Sequence, residues 1–388
     1  MNQSKGVFAI LLINIFIAFL GMALIFPVMP AFINSMHLSG STLGYLVATF
    51  AFAQLIVSPF SGRWVDQYGR KRFIVIGLLL FGVSQVIFAV AHVVPLLYVS
   101  RVIGGVSAAF VTPGVTAYVA DITTDRERAK AMGFVSAAIS TGYIIGPGVG
   151  GFLATYGVRA PFFTAAIFGL IACLLSLFVL KETLTEEAKV TNRANAHQSS
   201  FFSDLKRSLL PVYFIAFLIV FILALGLSSY ESIFSLFTNR RFGYSPQKIA
   251  LIVTISSIVG MLVQVIWFGK LVQSLGEKKL IQLCLLGGAI LAVVSTIISG
   301  FIAVLLVTTF IFLAFDLLRP ALTTFLSKTA QNEQGFVAGM NSAYTSLGNI
   351  IGPTMGGLLF DWSLLYPYLF SAAALLLGLL FTNFWKEE

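Results

Sequence analysis

Four ionisable side chains fall inside long apolar stretches of this chain: Arg101, Glu231, Asp316 and Arg319. At the centre of a bilayer each would cost on the order of 2.5–3.5 kcal/mol, so each needs a partner or a task. Asp316 and Arg319 stand three residues apart, on one face of a helix, which predicts an intrahelical pair that keeps Asp316 charged. Glu231 is placed differently: its neighbours one helical turn away are Leu227, Phe234 and Ser235, none of them basic. A carboxyl without a counter-charge is suited to gaining and losing a proton. Glu231 is therefore expected as the principal proton carrier. Asp316 is expected as a second acidic site that meets cations or a second proton while Arg319 changes partners. Pairing that only fixes helix packing is the plainer alternative.

Aromatic rings near such acids would make a polarisable cage for flat cations. Phe19, Tyr143, Phe234, Phe312 and Phe315 are the candidates, with Ile139 as an apolar wall and Gln54 and Asn349 as hydrogen-bonding groups. Phe312 lies four residues before Asp316 and shares its face. In a chain with 37 phenylalanines, core packing or lipid contact accounts for any one of them equally well.

Other chemistries lack their residues. No G-x-x-x-x-G-K-[ST] phosphate loop occurs, so ATP hydrolysis is not expected and an ion gradient is the remaining energy source. His37, His92 and His197 are not at metal-binding spacing, and no nucleophile stands with a base. Neither enzyme activity nor a cofactor beyond the proton gradient is expected.

The elements that must position these groups follow from composition. With 58% hydrophobic and 10% charged residues in 388, the chain holds more apolar surface than a water-soluble domain can hide. Its apolar blocks approach the length that crosses roughly 30 Å of hydrocarbon. Six lie at 7–30, 41–61, 73–90, 94–120, 131–155 and 161–180, and six more at 210–237, 247–268, 280–299, 301–326, 336–359 and 364–385. The first block lacks a small-residue cleavage site and reads as a retained helix. If the N-terminus is cytoplasmic, 18 of the 24 Lys and Arg fall in cytoplasmic segments. Arg159, Arg240, Arg241 and Lys248 lie outside, and Arg101 and Arg319 lie within helices. The net charge of +9 thus reports topology and contact with anionic lipid rather than nucleic acid, for which no binding motif is present. Both termini are expected in the cytoplasm.

The chain also repeats itself at an offset near 206 residues. Gly142-Tyr143-Ile144-Ile145-Gly146-Pro147-Gly148-Val149-Gly150-Gly151 matches Gly348-Asn349-Ile350-Ile351-Gly352-Pro353-Thr354-Met355-Gly356-Gly357 in seven of ten positions. The segment from Gly62 to Arg72 is echoed, more weakly and without its Asp66, from Gly269 to Lys279. Two parallel six-helix halves are predicted, 1–180 and 209–388, around a midplane cavity. The polar, aperiodic stretch 181–208 reads as a cytoplasmic linker. Gly142, Gly146 and Gly150 recur every fourth residue as a bare stripe for close helix packing, and Pro147 permits bending.

The segment Gly62-x-x-x-Asp66-x-x-Gly69-Arg70-Lys71 resembles the signature of the major facilitator superfamily. Pro27-Val28-x-Pro30, Arg101 with Gly104-Gly105, and Gly142-x-x-x-Gly146-Pro147-x-x-Gly150-Gly151 resemble motifs of its twelve-helix drug:proton antiporters. Ser228-Ser229-Tyr230-Glu231, Phe315-Asp316-Leu317-Leu318-Arg319-Pro320 and Gly339-Met340-Asn341-Ser342 are similar to the NorA/Bmr/Blt type of bacterial multidrug exporters.

That resemblance implies an all-α membrane protein of twelve transmembrane helices in two pseudo-symmetric six-helix bundles. It implies proton-coupled export of amphipathic, often cationic compounds such as dyes, quinolones or polyamines by alternating access. It gives Arg101 a part in proton handling and Asp66 a part in gating, with Asp121 and Arg126 as partners. A monomer in the bacterial plasma membrane is expected. A dedicated proton-coupled exporter of one metabolite, such as a polyamine, is the alternative, and a receptor or scaffold on the same fold lies further off.

Overall fold

The computed structural model describes residues 2–185, 206–330 and 334–383, and no strand occurs among them. The first half holds α1 (Asn2–Leu24), a short α2 (Met29–Ser35), α3 (Gly40–Tyr68), α4 (Arg70–Val90), α5 (Val94–Asp121), α6 (Asp125–Leu153) and α7 (Ala160–Val179). The second holds α8 (Pro211–Phe242), α9 (Pro246–Leu275), α10 (Glu277–Val294), α11 (Phe301–Ala330), α12 (Gln334–Trp362) and α13 (Tyr366–Thr382). Most of the predicted linker over 181–208 lies outside the described residues.

Apart from α2, each helix answers to one of the apolar blocks, in an all-α membrane protein. Nine helices among the described residues are long and apolar enough to cross a membrane by length and composition. The other three have visible reasons: α10 opens on Glu277, Lys278 and Lys279, α12 is rich in Ser, Thr and Asn, and α13 has 17 residues. Pro27 and Pro30 divide the first predicted block, so α1 ends at Leu24 and α2 begins at Met29. Several helices outrun their blocks. α3 continues from the expected 61 to Tyr68, and α9 from 268 to Leu275. The polar extensions keep their intrahelical hydrogen bonds in water, where hydropathy no longer marks them.

Two compact units form, one of residues 1–36 and 49–197, the other of 37–48 and 198–388. In the first, α4 packs on α5 and α7, and α1 on α6 and α7. In the second, α10 packs on α11 and α13, and α8 on α12 and α13. The sequence repeat is thus also a repeat of helix pairings. The core of the first unit joins Leu11 and Ile15 of α1 to Ile74 and Leu78 of α4, Val111 and Val115 of α5 and Ala172 of α7.

Glycine sets the closest approaches. A methyl added at Gly142 would come within 2.9 Å of the Phe16 carbonyl oxygen, and one at Gly146 within 3.0 Å of that of Leu20. At Gly150 it would land on the Leu24 carbonyl. The same holds in the second unit, where a methyl at Gly352 would meet the Leu225 carbonyl oxygen at 2.6 Å and one at Gly356 that of Ser229 at 3.1 Å. Both pairs therefore meet backbone to backbone, the close packing that replaces hydrophobic driving force in lipid. Buried hydroxyls and amides tie the helices further. Asn14 donates to the Ser176 hydroxyl at 2.7 Å, Ser107 to the Gly77 carbonyl at 2.7 Å and Ser228 to the Gly348 carbonyl at 3.0 Å.

In the second unit, Asp361 near the end of α12 accepts from the backbone N–H groups of Gly40 at 2.7 Å and Ser41 at 2.9 Å. These are the first residues of α3, so a carboxylate satisfies the orphan donors of that helix start and faces its positive dipole end.

Candidate functional site

Glu231 and Asp316 of the second unit gather where α8, α9 and α11 meet. Arg319 Nη2 lies 3.6 Å from Glu231 Oε1, joining α11 to α8. The intrahelical Asp316–Arg319 pair expected from spacing is thus replaced by an interhelical one. The short Asp316 side chain turns onto α9 at Gly260, where an added methyl would overlap its carboxylate. The longer Arg319 arm then reaches Glu231. Asp316 remains within electrostatic reach of both Arg319 and Glu231. One turn further along the α9–α11 contact, the Ser256 and Thr309 hydroxyls share a hydrogen bond of 2.9 Å.

Rings surround this cluster. Phe234 and Phe315 are each only 2% exposed and close on the buried Tyr230, with centroids 5.9 and 6.3 Å away. Both belong to the packing behind the acids. Phe312 is partly exposed, 6.3 Å from Phe234. Asn349 on α12 is half-buried.

In the first unit, Phe19 of α1 meets Tyr143 of α6 edge to face at 5.2 Å, and Tyr143 is 48% exposed. Ile139, one turn before Tyr143, packs against the core around Leu11 and Ile15. Gln54 of α3 is half-buried, its backbone within 3.0 Å of where a Gly105 side chain would begin. Arg101 stands over the Phe88 ring at 4.3 Å, and among the described residues its buried Nε has no hydrogen-bond partner. The π face of Phe88 thus meets this charge inside the unit.

At the corner between α3 and α4, Arg70 is the hub. Its guanidinium lies 3.0 Å from Asp66 and 3.1 Å from Asp121, and donates to the Val65 carbonyl at 2.9 Å. The Arg70 backbone N–H donates to Glu182 at 2.9 Å, and the Thr183 hydroxyl donates to Asp121 at 2.6 Å. Gly69 makes the turn at φ +112°, with the Glu182 carboxylate where a side chain would stand. Gly276, its counterpart in the repeat, is also left-handed at φ +76°. Gly62 has open space around it, and Arg126 is exposed and, among the described residues, does not join the cluster.

Sequence reasoning missed Glu182, Gly260 and Asp361. Glu182 falls in the stretch 181–208 that reads as linker. Gly260 had no signal, because its importance lies in the neighbour it admits. Asp361 did have one, an acid isolated at the end of an apolar block.

The profile of the Major Facilitator Superfamily matches residues 11–234 and again 216–388. This chain belongs to that superfamily. Among curated members, Multidrug resistance protein 2 of Bacillus subtilis (strain 168) is 62% identical, covering 100% of this chain and 97% of that protein. Quinolone resistance protein NorA of Staphylococcus aureus (strain MSSA476) is 37% identical, covering 100% and 98%. A solved structure, that of the nucleoside transporter NupG, superposes with a TM-score of 0.77 over 100% of both chains. At 14% identity that likeness speaks for the fold alone. Membership of the superfamily, the full-length relatives and the long apolar helices make the chain a multi-pass membrane transporter rather than an enzyme.

Proposed function

We propose that this protein is a multidrug exporter that moves amphipathic, often cationic compounds out of the bacterial cell in exchange for protons. Full-length likeness to a multidrug resistance protein and to a quinolone resistance protein supports the drug substrates. The observation that carries the coupling is the Glu231–Arg319 pair beside Asp316, three charges set in apolar helices at a cost that packing alone does not repay.

Ionised Glu231 holds Arg319, which leaves the Asp316 carboxylate as counter-charge for a cationic guest. Protonation of Glu231 releases Arg319, and the freed guanidinium turns to Asp316, three residues earlier on its own helix, and displaces the cation. Deprotonation on the cytoplasmic side draws Arg319 back and restores the site. Proton and drug compete through one arginine, so each lowers the affinity for the other. Within the second unit Phe312 supplies aromatic surface for flat substrates and Asn349 a hydrogen-bonding group; within the first, Phe19 and Tyr143 supply the rings, Ile139 an apolar wall and Gln54 a hydrogen-bonding group. Arg101 assists proton handling, and the Arg70 cluster acts as a latch that opens as access alternates. The chain works as a monomer in the plasma membrane with both termini in the cytoplasm, powered by the proton gradient.

Dye uptake into everted vesicles under an imposed pH gradient tests the proposal. Wild type should accumulate a cationic dye, and Glu231→Gln should not, while counterflow of the same dye persists in that variant. Gradient-driven transport of wild-type strength by Glu231→Gln would remove Glu231 from the coupling.

A further inference from the structure

Gly260 lies buried on α9, directly behind the Asp316 carboxylate. The three atoms that an added Cβ would meet first are Asp316 Oδ2, Cγ and Cβ, so the space a side chain would need is taken by this one acid. Its surroundings are held in register from nearby. Ser256, one turn earlier on α9, shares its 2.9 Å hydrogen bond with Thr309 of α11, two turns before Asp316. Across the cluster Arg319 is engaged with Glu231 at 3.6 Å. The backbone of α9 thus forms a seat for one carboxylate and for nothing else.

We propose that Gly260 is a positioning residue: by lacking a side chain it seats the Asp316 carboxylate against α9, clear of Arg319, so that Asp316 stays available as counter-charge to a cationic substrate. The inference rests on the reading of Asp316 as that counter-charge. A methyl at position 260 pushes the carboxylate off the seat toward Arg319, where the two charges satisfy one another and cation affinity falls. Gly260 touches neither proton nor substrate on this account. It acts through Asp316, and its effect must vanish when that carboxylate is gone.

The test is a double-mutant cycle on the full-length purified protein, read as equilibrium binding of the lipophilic monocation tetraphenylphosphonium. Gly260→Ala should weaken binding about tenfold in the wild-type background and less than about twofold in the Asp316→Ala background, the non-additivity expected of residues acting through one contact. An equal loss in both backgrounds would show that Gly260 serves helix packing only and would overturn the proposal, as would wild-type binding by Gly260→Ala. If Gly260→Ala alone does not accumulate in membranes, accumulation of the double variant at wild-type level supports the seat, because removing the acid removes the clash. Failure of both to accumulate counts against it. Asp316→Ala alone separates the two levels of the argument, since unchanged binding in that variant would sink the reading of Asp316 as counter-charge whatever Gly260 does.

Discussion

Arg319 reaches from α11 to Glu231 on α8, 3.6 Å away, rather than pairing with Asp316 on its own helix. Both side chains are open to the space beside the helices, 57% for Arg319 and 40% for Glu231, so neither fills a hole in the packing of α8 or α11. Arg319→Gln is therefore expected to leave the melting temperature in detergent almost unchanged while abolishing gradient-driven dye efflux. A large fall in melting temperature would make the pair structural instead.

The Arg70 cluster should respond in the opposite way. Arg70 is 10% exposed and is shared by Asp66, Asp121 and the Val65 carbonyl, so Arg70→Ala strands several partners at once. A loss of about 1–3 kcal/mol is expected, read as a lower melting temperature. Asp121→Asn should cost more than Asp66→Asn, since Asp121 is 29% exposed and Asp66 55%. The reverse order would remove Arg70–Asp121 as the stronger arm.

Two glycines of one motif should behave unlike each other. Gly62→Ala meets open space and is expected to be neutral or slightly stabilising in a helix. Gly69→Ala meets both a left-handed backbone and the Glu182 carboxylate, and should cost about 1–3 kcal/mol. Comparing the two in a thermal melt and in growth on a toxic dye checks the contrast. Equal tolerance would mean that the corner does not depend on this turn.

Asp361 offers a stability test away from the acids of the proposed site. Asp361→Ala removes the acceptor for Gly40 and Ser41 and should cost about 0.5–2 kcal/mol, as loss of a helix cap does. Asp361→Asn keeps one accepting oxygen and should recover part of that loss. No difference between wild type and Asp361→Ala in a thermal melt would show that water serves the start of α3 equally well.

Hydropathy made every described helix but α2 legible because lipid penalises exposed polar groups, so each crossing must be written as an apolar block. It was blind where helices leave the membrane, which is why α3 and α9 run several residues past their blocks. The spacing of Asp316 and Arg319 made them neighbours, but that the guanidinium lies on Glu231 of α8 is a tertiary fact that spacing along one helix does not carry. The repeated glycine stripe was visible as a pattern. Its partner helices, α1 and α8, were not, since nothing in a glycine names what it faces. For Phe234 and Phe315 the sequence offered aromatic character, while burial beside Tyr230 was decided by neighbours distant along the chain.

With carbonyls of α1 lodged where side chains of α6 would be, and carbonyls of α8 likewise against α12, neither partner has room to slide along the other. Each couple therefore behaves as a single strut. The ring of Pro147 in one strut and of Pro353 in the other leaves a rung missing from the hydrogen-bond ladder, so any flexing is confined to a joint whose location the chain specifies twice.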